Sequence, residues 1–356
     1  MENLLYNLIN ASLVGKPFEI SGVKEQDWQR CFDLALQQQV LAMTFPAMSA
    51  LPKECRPNFT LWSKWMAYAQ SVAELSAHKR QVVEKMGGWL AEEGWKTMVL
   101  KGFSLSALYP NPTLREFCDV DIFSGTDYEA VNACFHKHGI EVGKPDGHHA
   151  RLTVDGVAVE HHHSFGNSRV RQGDAYSIEE VLQRLATSDP RPTALPGICF
   201  PCPALTALYT DWHAYKHFMH EKIELRHVID WALALRQLTA DEAEEVGKVK
   251  GASLWGHFAD SMTAIALHRF ALPREWFPAR EVEVASHISP EQEERVWNDI
   301  ITAPHIAHGG TTLHRRLMIG RRLMKNRWKF REYADVSAGR FLLEEFRGWA
   351  RSGLKV

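Results

Sequence analysis

Apolar residues recur along the first 95 residues at the spacing of helix faces turned to a core. Leu4, Leu5, Leu8 and Ile9 form one stripe, and Trp28, Cys31, Phe32, Leu34 and Ala35 form another. Trp62, Trp65, Met66, Ala69, Val72, Ala73 and Leu75 open a long amphipathic helix that is expected to run toward Trp89. Within it, Gly87-Gly88 either breaks the helix or lets a neighbour approach closely. From Lys96 the period changes. Met98-Val99-Leu100 is short and apolar enough for a buried strand, and Leu105, Leu108 and Tyr109 then return to helical spacing. Residues 118–123 alternate with a period of two. A helix is predicted over 127–137 and a strand over 151–154. Asp155-Gly156 supplies a two-residue hairpin turn into a second alternating strand, 157–162. A connecting helix over 178–187 and the Pro-rich passage 190–203 follow, and the latter reads as a boundary. Beyond it the pattern is helical again, over 204–220, 223–237, 240–248, 254–270, 290–301 and a broken stretch from 313 to 348.

This pattern predicts an α+β chain. A small α/β core with a mixed sheet, residues 96–189, is flanked by an N-terminal helical region, 1–95, and a C-terminal helical domain, 190–356. Helices are expected on one face of the sheet.

Chemistry concentrates between Val99 and Phe123. Lys101 and Gly102 end the first strand where a helix begins. A glycine there lets backbone amides approach an anion, and the helix N-terminus adds unpaired N–H groups. Lys101, Ser104 and Arg115 are the side-chain donors within reach of such a phosphate. In the alternating run, Asp119 and Asp121 project from one face and Val120 and Ile122 from the other. Carboxylates two apart on a strand lie roughly 6–7 Å from each other, a spacing that suits hard divalent cations such as Mg²⁺ or Mn²⁺. A third carboxylate is needed to hold such an ion well, and Glu160, delivered by the hairpin, is the best placed.

Composition narrows the function classes. The chain has 356 residues, long enough for more than one domain, and a net charge of −2, so there is no global electrostatic case for a nucleic-acid or membrane partner. The six cysteines form no regular framework, and no signal peptide or transmembrane run is apparent, so a reducing cytoplasm is the expected location. Cys199 and Cys202 make a lone C-x-x-C flanked by prolines, best read as two buried thiols. There are eighteen histidines. His213, His217 and His220 share a helix face, where they either hold a metal, line a nucleotide or acceptor pocket with Lys216, or pack. His148 and His149 read as loop residues. The basic stretch 314–331 is amphipathic and reads as a helix packing its apolar stripe with a solvated basic face.

The strand ending in Lys101-Gly102, the Tyr109-Pro110 turn followed by Arg115, the Asp119-x-Asp121 strand and Glu160 followed by His161 resemble the uncharacterised nucleotidyltransferase family within the DNA polymerase β-like superfamily. The resemblance covers about residues 95–235, with a weaker tail in His213 to Phe218 and Leu225 to Asp230. It implies Mg²⁺-dependent transfer of a nucleotidyl group from an NTP, and it points to Lys101, Gly102, Arg115, Asp119, Asp121, Glu160 and His161. Strand alternation makes His162 a geometric rival of His161, because it shares the face of Glu160. The chain departs from the superfamily in reading Gly102-Phe103-Ser104 in place of an adjacent Gly-Ser pair, and in using Glu160 as its third acid.

The function expected on this basis is transfer of an NMP group to a hydroxyl of a small molecule or protein. Asp119, Asp121 and Glu160 would hold metal, with Lys101, Gly102, Ser104, Arg115, His161, His213, Lys216 and His217 on the nucleotide. A metal-dependent phosphohydrolase and a non-catalytic nucleotide- or partner-binding protein of the same fold are the alternatives.

Overall fold

The computed structural model describes residues 2–145, 147–166, 178–220, 222–252, 255–302, 326–333 and 339. The N-terminal region is helical, with α1 (Glu2–Val14), α2 (Glu25–Gln37), α3 (Leu41–Ala50) and the 34-residue α4 (Phe59–Glu92). Asn58 caps α4, its side-chain oxygen accepting from the Leu61 amide at 3.0 Å. Gly87-Gly88 does not break this helix. A Cβ on Gly87 would lie 2.3 Å from the Pro196 carbonyl oxygen, and one on Gly197, whose φ is +66°, would lie 2.3 Å from the carbonyl of Gly87. The two glycines therefore let backbone pack on backbone, which is the second of the two roles the pair allowed.

The sheet contains β1 (Thr97–Leu100), β2 (Val120–Phe123), β3 (His149–Val154), β4 (Val157–His162), β5 (Arg191–Pro192) and β6 (Ile198–Phe200). Its order is β3-β4-β2-β1-β6-β5. β1 runs antiparallel to β2 and parallel to β6, while β2 runs parallel to β4. Asp155 and Gly156 turn the β3–β4 hairpin with φ of +47° and +81°, as a two-residue turn requires. The passage 190–203, read above as a boundary, instead adds β5 and β6 to the sheet beside β1. Short strands flanked by prolines carry too little apolar alternation to announce themselves.

Helices cover both faces of the sheet rather than one. Val99, Val120, Ile122 and Val159 pack against Val83, Met86 and Leu90 of α4 and against Val131 and Phe135 of α6 (Tyr128–Lys137). Met98, Leu100 and Phe123 belong to the other core, with Leu182 of α7 (Ile178–Ser188) and Leu205 and Leu208 of α8 (Pro203–His220). Because side chains alternate along a strand, Asp121 points to the α8 side together with Leu100 and Phe123. That second core continues through α9 (Leu225–Leu235), α10 (Ala240–Gly251), α11 (Trp255–His268), α12 (Ala279–Ser286) and α13 (Pro290–Thr302), and includes α1 to α3. Tyr6 of α1 packs edge-on against Trp297 of α13 with ring centroids 5.2 Å apart. The N-terminal and C-terminal helices thus share one interior. Neither α3 nor α12 was anticipated. Of the basic stretch 314–331, residues 314–325 lie outside the described residues, and its end joins a helix at Arg327–Tyr333. Among the described residues no helix is long and apolar enough to cross a membrane.

Candidate active site

The parallel pairing of β2 with β4 sets Asp121 opposite Glu160 and Ile122 opposite His161. Partners in register share a face, so Asp121, Glu160 and His162 turn toward α8 while His161 turns toward α6. His162 Nε2 lies 2.8 Å from Asp121 Oδ1 and 3.9 Å from Glu160 Oε2. His161 sits among Asn132, Ser124 and the rings of Tyr128 and Phe135, with Nδ1 2.8 Å from Asn132 Oδ1. Burial pushes its imidazole down to about 3. Of the two rivals, the ring beside the carboxylates is therefore His162. The alternation decides this, against the resemblance.

Lys101 follows β1 directly and opens α5 (Lys101–Ser106) in the left-handed region, with φ of +38°. A non-glycine residue there is conformationally costly, and such strain collects at functional sites. Its Nζ lies 2.6 Å from Asp121 Oδ1. Burial alone would lower the ammonium, but the Asp121 carboxylate overrides it and holds Lys101 raised. Reciprocally, burial would raise Asp121, but Lys101 and then the His162 hydrogen bond hold it well below the usual carboxylate range. Asp119 stands within electrostatic reach of Asp121, Lys101 and Glu160. Burial, then Asp121, raises it.

The opposite wall comes from α8. Tyr209 places its ring 5.7 Å from Lys101 Nζ. His213 is held well below its ordinary value by burial and then by Lys101, and Lys216 is brought down to about 8 by burial and then Lys101. Lys216 Nζ also reaches the Phe165 carbonyl at 3.5 Å, in the turn after β4 that Glu179 pins by accepting from the Phe165 and Gly166 amides. His217 lies one turn further along, its Nε2 3.3 Å from that of His213. The His220 side chain lies outside the described residues.

Three expected phosphate contacts are placed otherwise. Arg115 is 3% exposed and turned away from the carboxylates: Nε and Nη2 donate to the two oxygens of Asp230 at 2.7 and 2.6 Å, and Nη1 donates to the Gly102 carbonyl at 2.9 Å. Its guanidinium ties the segment after α5 to α9, through Asp230 at the end of the Leu225 to Asp230 tail. Ser104 donates from Oγ to the Lys101 carbonyl at 3.2 Å inside α5. A Cβ on Gly102 would lie 2.8 Å from the Phe117 ring, so close packing of that ring is what demands glycine.

His148, His149 and Tyr209 also reach the site without having been expected there. β3 begins at His149, earlier than its β-branched segment suggests, and with His148 in the turn just before it brings both histidines to His162, with ring centroids 5.2 and 5.3 Å away. Their signal was the register that a two-residue turn imposes on a hairpin: His149 pairs with His162.

The sequence model of the uncharacterised nucleotidyltransferase family matches residues 24–269, more than half of the chain. The chain belongs to this family. Members of it by that description are nucleotidyltransferases, and the α+β architecture with a mixed sheet agrees. Among curated proteins none is similar enough to match. Among solved structures, the solution structure of the antibiotic-resistance factor ANT(2'')-Ia is similar at 13% identity with a TM-score of 0.35, over 51% of this chain and 98% of that one. A likeness of that size carries no argument about the site.

Proposed function

We propose that this nucleotidyltransferase moves an NMP group from an NTP to a hydroxyl of a small molecule or protein, with Mg²⁺, or Mn²⁺, held by Asp119, Asp121 and Glu160. The observation that supports it is the β2–β4 register, which sets Asp121 against Glu160 with Asp119 nearby. The donor set fits a hard cation. Burial and then the neighbouring Asp121 carboxylate raise Asp119, and a divalent ion would offset both by holding the charged form. Lys101 Nζ at 2.6 Å from Asp121 already acts as a cationic counterpart within the set. When bound, the metal supplies neutralisation of the triphosphate and stabilises charge on the entering and leaving oxygens.

The protein's own groups do the rest. The acceptor oxygen forms a bond to the α-phosphorus as the bond to pyrophosphate breaks in line, and the hydroxyl proton passes to a carboxylate, with Glu160, whose side chain is 16% exposed, the candidate. Lys101 keeps Asp121 ionised and sets positive charge beside the phosphates. Lys216, protonated at neutral pH with its value near 8, faces the same space from α8 and balances the leaving pyrophosphate. Tyr209 and His213 wall the pocket on that side.

Calorimetric titration of ATP, GTP, CTP and UTP with Mg²⁺ tests the reading, on the wild type and on Asp119→Ala and Glu160→Gln. Nucleotide binding that needs the metal and weakens in both variants supports it, and identifies the base to label in a search for acceptors. Binding that ignores the metal and both substitutions refutes it and favours a non-catalytic binding protein. Release of inorganic phosphate without a labelled acceptor favours the phosphohydrolase.

A further inference from the structure

Next to the carboxylate set, three imidazoles, His148, His149 and His162, face one another. His148 and His149 have ring centroids 4.8 Å apart, and each lies within 5.3 Å of the His162 centroid. One ring nitrogen from each can be chosen so that the three all lie within 4.8 Å of one another. His162 is completely buried, and its Nδ1 has no hydrogen-bond partner; His149 Nδ1 is buried without one as well, while His149 Nε2 has the Glu160 carboxylate 3.3 Å away. Buried polar atoms are normally satisfied, so a cluster of imidazole nitrogens left open toward each other calls for a ligand.

We infer that His148, His149 and His162 form a binding site for a borderline divalent cation, Zn²⁺ first, adjoining the carboxylate set, which His162 also reaches through Asp121 and Glu160. Imidazole nitrogen suits zinc-like ions, whereas oxygen-only sets suit magnesium. Around tetrahedral zinc, with Zn–N near 2.0–2.1 Å, ligand nitrogens lie about 3.4 Å apart, so from separations within 4.8 Å the nitrogens close in by at most about 1.4 Å when the ion enters. The outer contacts are in place. Asp121 Oδ1 lies 2.8 Å from His162 Nε2, the carboxylate–imidazole arrangement that fixes the tautomer and leaves Nδ1 to ligate. Glu160 Oε1 lies 3.3 Å from His149 Nε2 and orients the second ring. Three protein ligands leave a fourth position for water or a phosphate oxygen.

The inference stands on imidazoles that the nucleotidyl-transfer reading does not use as metal ligands. Its test titrates Zn²⁺ into the full-length apo chain against a chromophoric chelator in the presence of excess Mg²⁺. Visible absorption of bound Co²⁺ is a second readout of tetrahedral nitrogen ligation. One ion per chain is expected, with His148→Asn/His149→Asn weakening it by more than the roughly 10–100-fold that loss of an outer-shell partner causes. Asp119→Ala should leave it unchanged. The single variant His148→Asn, with its melting temperature, separates loss of ligands from loss of fold. Zinc affinity that survives the double His variant, or that disappears in Asp119→Ala or under Mg²⁺, overturns the inference and places the ion among the carboxylates. A chain that binds Zn²⁺ through these rings but no NTP would overturn the transfer reading and leave this one standing.

Discussion

Arg115→Met separates the two roles an arginine at this position can have. The guanidinium and the Asp230 carboxylate are 2% and 3% exposed and are joined by two hydrogen bonds of 2.7 and 2.6 Å. Removing one partner of such a pair strands the other charge in the interior, at a cost of about 3–5 kcal/mol. Asp230 would keep the Tyr109 hydroxyl at 2.7 Å, and Arg226, now 3.5 Å away and partly exposed, can move toward it. The loss should therefore fall near the lower end, about 3 kcal/mol. Asp230→Leu leaves the less adaptable cation buried and should cost nearer 5 kcal/mol. The double variant Arg115→Met/Asp230→Leu should lose clearly less than the sum, since it leaves no unpaired charge. Urea unfolding of all four proteins, followed by tryptophan fluorescence, measures each value. NTP affinity of Arg115→Met, measured well below its unfolding transition, should match the wild type. A variant as stable as the wild type but unable to bind NTP would refute the reasoning and return Arg115 to the phosphates.

Gly87→Ala and Gly88→Ala should have opposite signs. The first forces a methyl to 2.3 Å from the Pro196 carbonyl and should lose about 1–3 kcal/mol, whereas the second meets nothing within 4 Å in a helix interior and should gain about 0.5–1 kcal/mol; urea midpoints read both. His162→Asn should lower kcat/KM by roughly 10–100-fold, as loss of a carboxylate's orienting partner does, while His161→Asn should lose about 1–3 kcal/mol of stability with kcat intact; steady-state kinetics beside thermal melts would show a reversed pattern if the assignment is wrong. Asp211 is buried on α8 with neither oxygen hydrogen-bonded, and burial raises its carboxyl well above the ordinary value. The folded state thus keeps a proton that the unfolded state releases, so stability falls as pH rises from the unfolded carboxyl's range toward the folded value. Asp211→Asn should accordingly raise the melting temperature more at about pH 8 than at about pH 5, and an equal gain at both would refute it.

The parts of this fold legible in the sequence are those where one local rule acts alone. Long amphipathic stripes gave α4 and α8, the Asp155-Gly156 turn gave the β3–β4 hairpin, and period-two alternation put Asp121 on the face away from Val120 and Ile122, although Asp119 lies in the bend before β2, outside the strand. What stayed hidden depends on partners distant in the chain. Nothing near Arg115 says that Asp230 will claim it, because that contact spans 115 residues. Nothing near Gly102 announces the Phe117 ring. β6 is three residues long and acquires its meaning only beside β1. His162 illustrates a middle case. Alternation alone placed it correctly, and the resemblance, which carries residue order but no strand geometry, favoured its neighbour.

The β1–β6 pairing also sets an order of events. Thr97 pairs with Ile198 and Met98 with Cys199, so one edge of the strand that delivers Lys101 stays open until about a hundred further residues have left the ribosome. Until then a short apolar strand has exposed N–H and C=O groups on that side, and long-range parallel pairing is slow to form. A nascent chain or a fragment ending before residue 198 would lack both β6 and the α8 side of the core, leaving that edge of the sheet unpaired and prone to pairing with other chains. The strands of the candidate site are early in synthesis, but the sheet that carries them is closed late.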